Sequence, residues 1–141
     1  MGMSLRDKVL DRVQSAVSAR SPVIIAYDFV SAYEIAIDSG DNEGDDLACA
    51  VGTALEEYLL ENSPDFAANI AVRAYISAID IGGDTGTEIC NQLRVIYTRA
   101  CEKSGEFLAS LHYHQNGIGA DLAYLGRNGC TVRPKFGFGR S

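Results

Sequence analysis

The chain has two histidines, His112 and His114, separated by one tyrosine. Imidazole nitrogens at this spacing are a possible start for a transition-metal site. On a strand both rings would point to one side, but on a helix they diverge by about 200°. No His-Glu-x-x-His pattern and no added carboxylate pattern accompanies them. The sequence favours a surface or helix-end role, and a small metal- or ligand-binding protein is kept as an alternative.

Two groups of carboxylates have spacings that suggest chemistry. Asp80 and Asp84 flank the turn "IGG" and would suit a paired carboxylate site, although loop and capping roles are commoner for such residues. The segment "SGDNEGDD" suggests calcium, but with Gly44 as the central glycine an EF-hand loop would begin at Ser39 and end at Ala50. A calcium loop needs a bidentate Glu at that last position. An acidic loop that caps the next helix is therefore predicted.

Motifs for nucleophilic catalysis and cofactor binding are missing from the sequence. There is no Gly-x-Ser-x-Gly and no P-loop, and "GIGADL" has Leu122 where a dinucleotide fingerprint needs its third glycine. None of the four cysteines forms a Cys-x-x-Cys pair, so reduced, partly buried thiols are expected. We predict a non-enzymatic protein with no catalytic residues, no metal site and no cofactor.

The formal charge is strongly asymmetric along the chain. All 19 acidic residues lie at or before Asp121 with 8 of the 12 Lys and Arg residues, which gives −11, while the last twenty residues carry +4. The acidic part disfavours nucleic acid. The basic end suits RNA, an acidic partner, or the chain's own acidic part. No apolar run is long enough to cross a membrane and no secretory signal is present, so a cytoplasmic protein without a membrane partner is expected.

The apolar periodicity predicts helices throughout. An amphipathic helix is expected from Ser4 to Ala19, with apolar residues on one face up to Val17. The segment Val23 to Val30 has the composition of a buried strand. We favour a helix there, because Ser21-Pro22 is a good start, Gly40 is a good stop, and Asp28, Ser31, Glu34 and Asp38 leave one narrow polar stripe.

Two further helices follow the acidic loop. The first is expected from about Asp45 to Glu61, with its inward residues ending in Tyr58 and Leu59. Ser63 and Pro64 begin the second, which continues to about Ile81 and has a stripe of small residues that lets a neighbouring helix approach closely. The stripe consists of Ala67, Ala71, Ala74 and Ala78.

The segment "GTEICNQLRVIY" opens the last long helix. Thr85 and Glu88 have the spacing of a capping box. The helix is expected to reach about His114, with a bend at Lys103-Ser-Gly105 and a short additional helix near residues 120–125. The apolar residues predicted to line one side are Ile89, Leu93, Ile96, Ala100, Phe107 and Leu111, with Tyr97 and Leu108 beside them.

These elements predict an all-α protein. Residues 1–126 are expected to form an antiparallel helical bundle of four to five helices, and residues 127–141 an extended basic tail. In the tail, Phe136 and Phe138 flank Gly137, which suggests docking onto this body or onto another subunit.

The last long helix resembles a segment of the flagellar secretion chaperones of the FliS type. Their fourth helix opens with a Gly-rich turn and then Glu-Ile-Ala-x-Asn-Leu-x-x-Leu-Tyr, to which "EICNQLRVIY" (residues 88–97) is similar. "RAYISAID" and "SPVIIAYDFVSAYEIAIDSGD" resemble two further segments of that family. The similar pieces cover about half of the chain. The spacing between Ser-Pro and Tyr-Asp is shorter here, and neither the His-Tyr-His region nor the tail has a counterpart.

The resemblance implies a non-enzymatic antiparallel bundle that holds a flagellin-type export substrate in apolar grooves between helices. Ile89, Leu93, Ile96 and Tyr97 are predicted as core residues that shape those grooves, and Phe136 and Phe138 as further partner-binding residues. The alternative is a structural subunit of a homo-oligomeric or viral-type assembly whose tail contacts a neighbour.

Overall fold

A computed structural model describes residues 2–114 of the chain, and these residues form six helices with no strand among them. The all-α prediction is therefore confirmed for this part, including the helix across Val23 to Val30. The helices are α1 (Leu5–Ser18), α2 (Pro22–Asp38), α3 (Asn42–Glu61), α4 (Pro64–Ile81), α5 (Gly83–Lys103) and α6 (Gly105–His114).

Most helix starts follow from residues visible in the sequence. The Ser4 hydroxyl accepts the Asp7 N–H at 3.1 Å, and the Asp41 carboxylate accepts the Gly44 N–H at 2.8 Å, so each satisfies a backbone donor of the first turn. α2 and α4 begin with Pro22 and Pro64, whose fixed φ suits the first helical position. Their cap residues, Ser21 and Ser63, make no side-chain capping bond.

The consecutive helices α4 and α5 run antiparallel. Between α4 and α5, the Tyr97 hydroxyl donates to the Ala71 carbonyl at 2.6 Å, and Arg94 donates to the Tyr75 hydroxyl at 3.3 Å. Higher numbers on one helix thus face lower numbers on the other. The connections between helices are one to three residues long, which suits antiparallel neighbours.

α2 lies at the centre, where it contacts α1, α3, α4 and α5. Its buried side is dominated by large side chains such as Phe29 and Tyr33, both without exposed surface. The predicted alanine stripe of α4 is also fully buried. Small side chains let the α4 backbone approach its neighbours, which leaves the Ala71 carbonyl within reach of Tyr97.

Four local predictions were wrong. α5 and α6 are separate helices, because Ser104 adopts an extended conformation and its hydroxyl accepts the Phe107 N–H of the next helix at 3.1 Å. The capping box at the start of α5 does not form, since Thr85 donates instead to Asp38 of α2 at 2.7 Å. α3 begins at Asn42 and not near Asp45, because Asp41 provides an earlier cap.

The fourth error concerns which faces are polar. Asp28, predicted on the polar stripe of α2, is only 5% exposed and accepts a hydrogen bond from Ser15 of α1 at 2.6 Å. Val17, predicted on the inner face of α1, is 40% exposed. The expected short helix at 120–125 and the tail at 127–141 lie outside the described residues.

Candidate functional site

The predicted partner-binding residues of α5 lie in the core. Ile89, Leu93 and Tyr97 have no exposed surface and Ile96 is 4% exposed. Burial raises the pKa of the Tyr97 hydroxyl, which is anchored to the Ala71 carbonyl. The four side chains hold α5 in the bundle, as predicted for core residues, and their influence on partner binding stays a prediction. Phe136 and Phe138 lie outside the described residues.

Among the described residues, α2 has the largest group of exposed large apolar side chains. Val23, Ile24 and Tyr27 are exposed by 53%, 51% and 60%. They are one, three and four residues apart, so they share one side of the helix. We call these three residues the α2 face. Three exposed apolar side chains in contiguous positions are unusual on a protein surface that has no partner.

The α2 face continues into a groove between α2 and α4 with a volume of about 260 Å³. Tyr27 belongs to both. Val30 and Ile81 provide apolar walls, while Glu34 and Asp80 place carboxylates at the groove. The residues of this α2–α4 groove are Tyr27, Val30, Ser31, Glu34, Ser77, Asp80 and Ile81. An apolar groove with carboxylates suits a partner segment that carries apolar anchors and positive charge.

A second groove lies between the ends of α1 and α3 and has a volume of about 360 Å³. Val17 of α1 forms one side of it. On α3, apolar and acidic residues alternate along one face. The residues of this α1–α3 groove are Val17, Ala54, Glu57, Tyr58, Glu61 and Asn62.

The histidines occupy the end of α6, as the sequence favoured. His112 is exposed, and His114 Nε2 lies 2.7 Å from Asp65 Oδ1 in the first turn of α4. This contact fastens the end of α6 to the start of α4. The part of the chain that the structure describes contains no group of three or more His, Cys, Asp or Glu residues able to hold a metal ion.

The acidic segment that suggested calcium is largely the first turn of α3. Asp41 accepts the Gly44 N–H and, at 3.0 Å, the Ser39 hydroxyl; these hydrogen bonds lower the pKa of its carboxyl. The carboxylate is therefore used for capping, as the sequence predicted. A side chain on Gly44 would lie 2.3 Å from the Ala36 carbonyl oxygen, so this turn requires glycine.

Among residues 2–114, the buried carboxylates of Asp28 and Glu56 have structural partners. Glu56, 8% exposed, lies 2.6 Å from Lys103 Nζ and 3.7 Å from Arg99, which joins α3 to α5. Burial raises the pKa of the Cys90 and Cys101 thiols to about 12. Thiols with such pKa values stay protonated at neutral pH and are poor nucleophiles.

Comparison with protein-family models, with curated proteins and with solved structures gives no match. None of the described helices is long and apolar enough to cross a membrane. The fold and the surface of the described residues therefore provide the arguments for function.

Sequence reasoning missed the α2 face. The segment is apolar on nearly every side, so its pattern predicts a helix that is buried except along one narrow polar stripe. A signal was nevertheless present in the sequence. Val23 and Tyr27 precede Glu34 and Asp38 by approximately whole numbers of helical turns, so all four residues lie on the same side of α2. Apolar residues in line with a polar stripe face the same solvent as that stripe.

Proposed function

We propose that this chain is a non-enzymatic interaction protein that binds an apolar, positively charged segment of a protein partner on the α2 face and in the α2–α4 groove. The observation that carries the proposal is the exposure of Val23, Ile24 and Tyr27 by half or more of their surface, next to a groove between two helices. A segment laid there would bury these apolar groups and pair its charges with Glu34 and Asp80.

The resemblance to flagellar secretion chaperones supports a specific partner class, an export substrate of the flagellin type. In that family the bundle performs no chemistry and its grooves between helices receive the substrate. The pairing of the buried ionisable groups Asp28 and Glu56 within the bundle also supports a binding role without catalysis.

The proposal is tested with a double variant of the α2 face, Ile24→Ser with Tyr27→Ser. The matched control is Leu10→Ser with Val95→Ser, which removes two exposed apolar side chains, 42% and 36% exposed, from α1 and α5. Each protein is used in a quantitative pull-down from the native host, and the affinity for purified flagellin of that host is measured by calorimetry.

A true partner binds the wild type and the control equally and binds the α2-face variant at least tenfold more weakly, since loss of an aromatic anchor costs about 2 kcal/mol. Equal recovery of every protein by the two double variants would contradict the proposed surface. If flagellin binds none of the three proteins while another host protein shows the expected pattern, the proposed surface is supported and a flagellin-type partner is excluded. Recovery of only the chain itself would favour the homo-oligomeric subunit.

A further inference from the structure

The α1–α3 groove combines exposed apolar surface with negative charge. Along α3, Ala54, Glu57, Tyr58 and Glu61 follow one another at intervals of one, three or four residues and so share one face of the helix. Val17 of α1 is 40% exposed at the opposite wall. The groove therefore offers apolar contacts with carboxylates on both sides of Tyr58.

The negative charge at the carboxyl end of α3 is also not offset by basic residues of that helix. The carboxyl end of a helix carries a partial negative charge, which Lys or Arg residues in the last turn usually offset. The last turn of α3 has no basic residue, and both Glu57 and Glu61 are exposed near it. A positively charged segment placed along this face would interact favourably with the carboxylates and with the helix end.

The described chain ends beside this groove. His114 is bound to Asp65 at 2.7 Å, and Asp65 follows Asn62 of the groove by three residues. The α2–α4 groove contains Ile81 at the other end of α4, about 24 Å from Asp65 at 1.5 Å per residue. Residues 115–126 can span about 40 Å, so the segment that follows them reaches the α1–α3 groove easily.

We propose that residues 127–141 bind in the α1–α3 groove of their own chain. Arg133 and Lys135 pair with Glu57 and Glu61, and the rings of Phe136 and Phe138 cover the exposed Val17 and the half-buried Tyr58. The segment has a formal charge of +4 and no acidic residue, which complements a groove with two carboxylates and no basic residue. This inference does not depend on the partner site at the α2–α4 groove.

The native Cys130 provides a probe for the position of the segment. In a Cys49→Ser background, which removes the exposed thiol of α3, a cysteine is introduced by Ala54→Cys in the α1–α3 groove. The matched control is Ser77→Cys in the α2–α4 groove, since both residues are half-buried. The equilibrium of disulfide formation with Cys130 in a glutathione buffer gives the effective concentration of the segment at each groove.

The expected effective concentration at Ala54→Cys is at least tenfold higher than at Ser77→Cys. Charge reversal in the segment, Arg133→Glu with Lys135→Glu, is expected to lower the value at Ala54→Cys at least fivefold and to leave the value at Ser77→Cys nearly unchanged. The helical content of each variant is checked by circular dichroism.

Three results of the disulfide measurement would overturn the inference. Equal effective concentrations at the two grooves would show no preference for the α1–α3 groove. If the higher effective concentration at Ala54→Cys persists after charge reversal, it would reflect only the short length of chain between His114 and the segment. A disulfide-linked dimer as the main product would place the segment on a second copy. As an independent measurement, amide resonances of residues 54–61 should shift between the wild type and the Arg133→Glu, Lys135→Glu protein, and unchanged resonances would also overturn it.

Discussion

Two buried tyrosines differ in one hydrogen bond, and their replacement by phenylalanine should therefore have different effects on stability. Tyr33 and Tyr97 are both without exposed surface. The Tyr97 hydroxyl donates to the Ala71 carbonyl at 2.6 Å, whereas the Tyr33 hydroxyl has no hydrogen-bond partner among residues 2–114. Tyr97→Phe removes a bond, while Tyr33→Phe removes an unpaired polar group from the core.

The magnitudes follow from these environments. A buried neutral hydrogen bond contributes about 1 kcal/mol net, and the carbonyl left with fewer partners adds to the loss, so Tyr97→Phe should lower the free energy of unfolding by about 1–2 kcal/mol. Burial of an unpaired hydroxyl is unfavourable, so Tyr33→Phe should leave the free energy of unfolding unchanged or raise it by up to about 1 kcal/mol. The expected difference between the two variants is about 2 kcal/mol.

Urea unfolding followed by circular dichroism at pH 7 measures both values. Tyr113→Phe, which alters a side chain 72% exposed, is the control and should change the free energy of unfolding by less than about 0.5 kcal/mol. The midpoint should shift without a change in the urea dependence, since neither variant alters the surface exposed on unfolding. If Tyr33→Phe destabilises the protein as much as Tyr97→Phe, the assignment of partners in this core is wrong.

Three further predictions concern the helix joints and the thiols. Gly86→Ala should lower the free energy of unfolding in urea by about 1–3 kcal/mol, because the added carbon would lie 2.7 Å from a carbonyl oxygen of α4. Gly105→Ala, whose added carbon would have no atom within 4 Å, should leave the free energy of unfolding unchanged. Asp41→Asn should lower the melting temperature at pH 7, and the difference should shrink as the pH falls below about 3.8, because a carboxyl whose pKa is lowered by folding stabilises fully above its ordinary pKa and loses this contribution as the pH falls through its folded-state pKa. A pH-independent difference would contradict this. In a Cys130→Ser protein, Cys49 alone should react with a thiol reagent at pH 8, and the two buried cysteines only after unfolding.

The helices were predictable because their signals are local. Ser4 and Asp41 cap the helices that follow them, and Pro22 and Pro64 begin two more. The choice between a local partner and a partner distant in the chain was not predictable. Thr85 has a Glu at capping-box spacing, but its hydroxyl donates to Asp38, which is 47 residues away in the chain and adjacent only in the folded bundle.

The candidate site depended on packing that no local pattern specifies. The apolar residues of α5 were placed correctly in the core, because their spacing requires one buried side. Val23, Ile24 and Tyr27 could have been buried or exposed on composition alone, since α2 is apolar on most sides. The arrangement of α1, α3, α4 and α5 around α2 determines which side is left uncovered.

The six helices differ in how firmly they are held. α1 has two buried residues, Val9 and Ala16, whereas α2, α3 and α4 each have eight. The principal neighbours of α1 are α2 and α3. Local opening should therefore reach α1 before the other long helices, and its amides should exchange with deuterium before theirs. Each opening would lift Ser15 away from Asp28 and bring a carboxylate that is normally covered into contact with water.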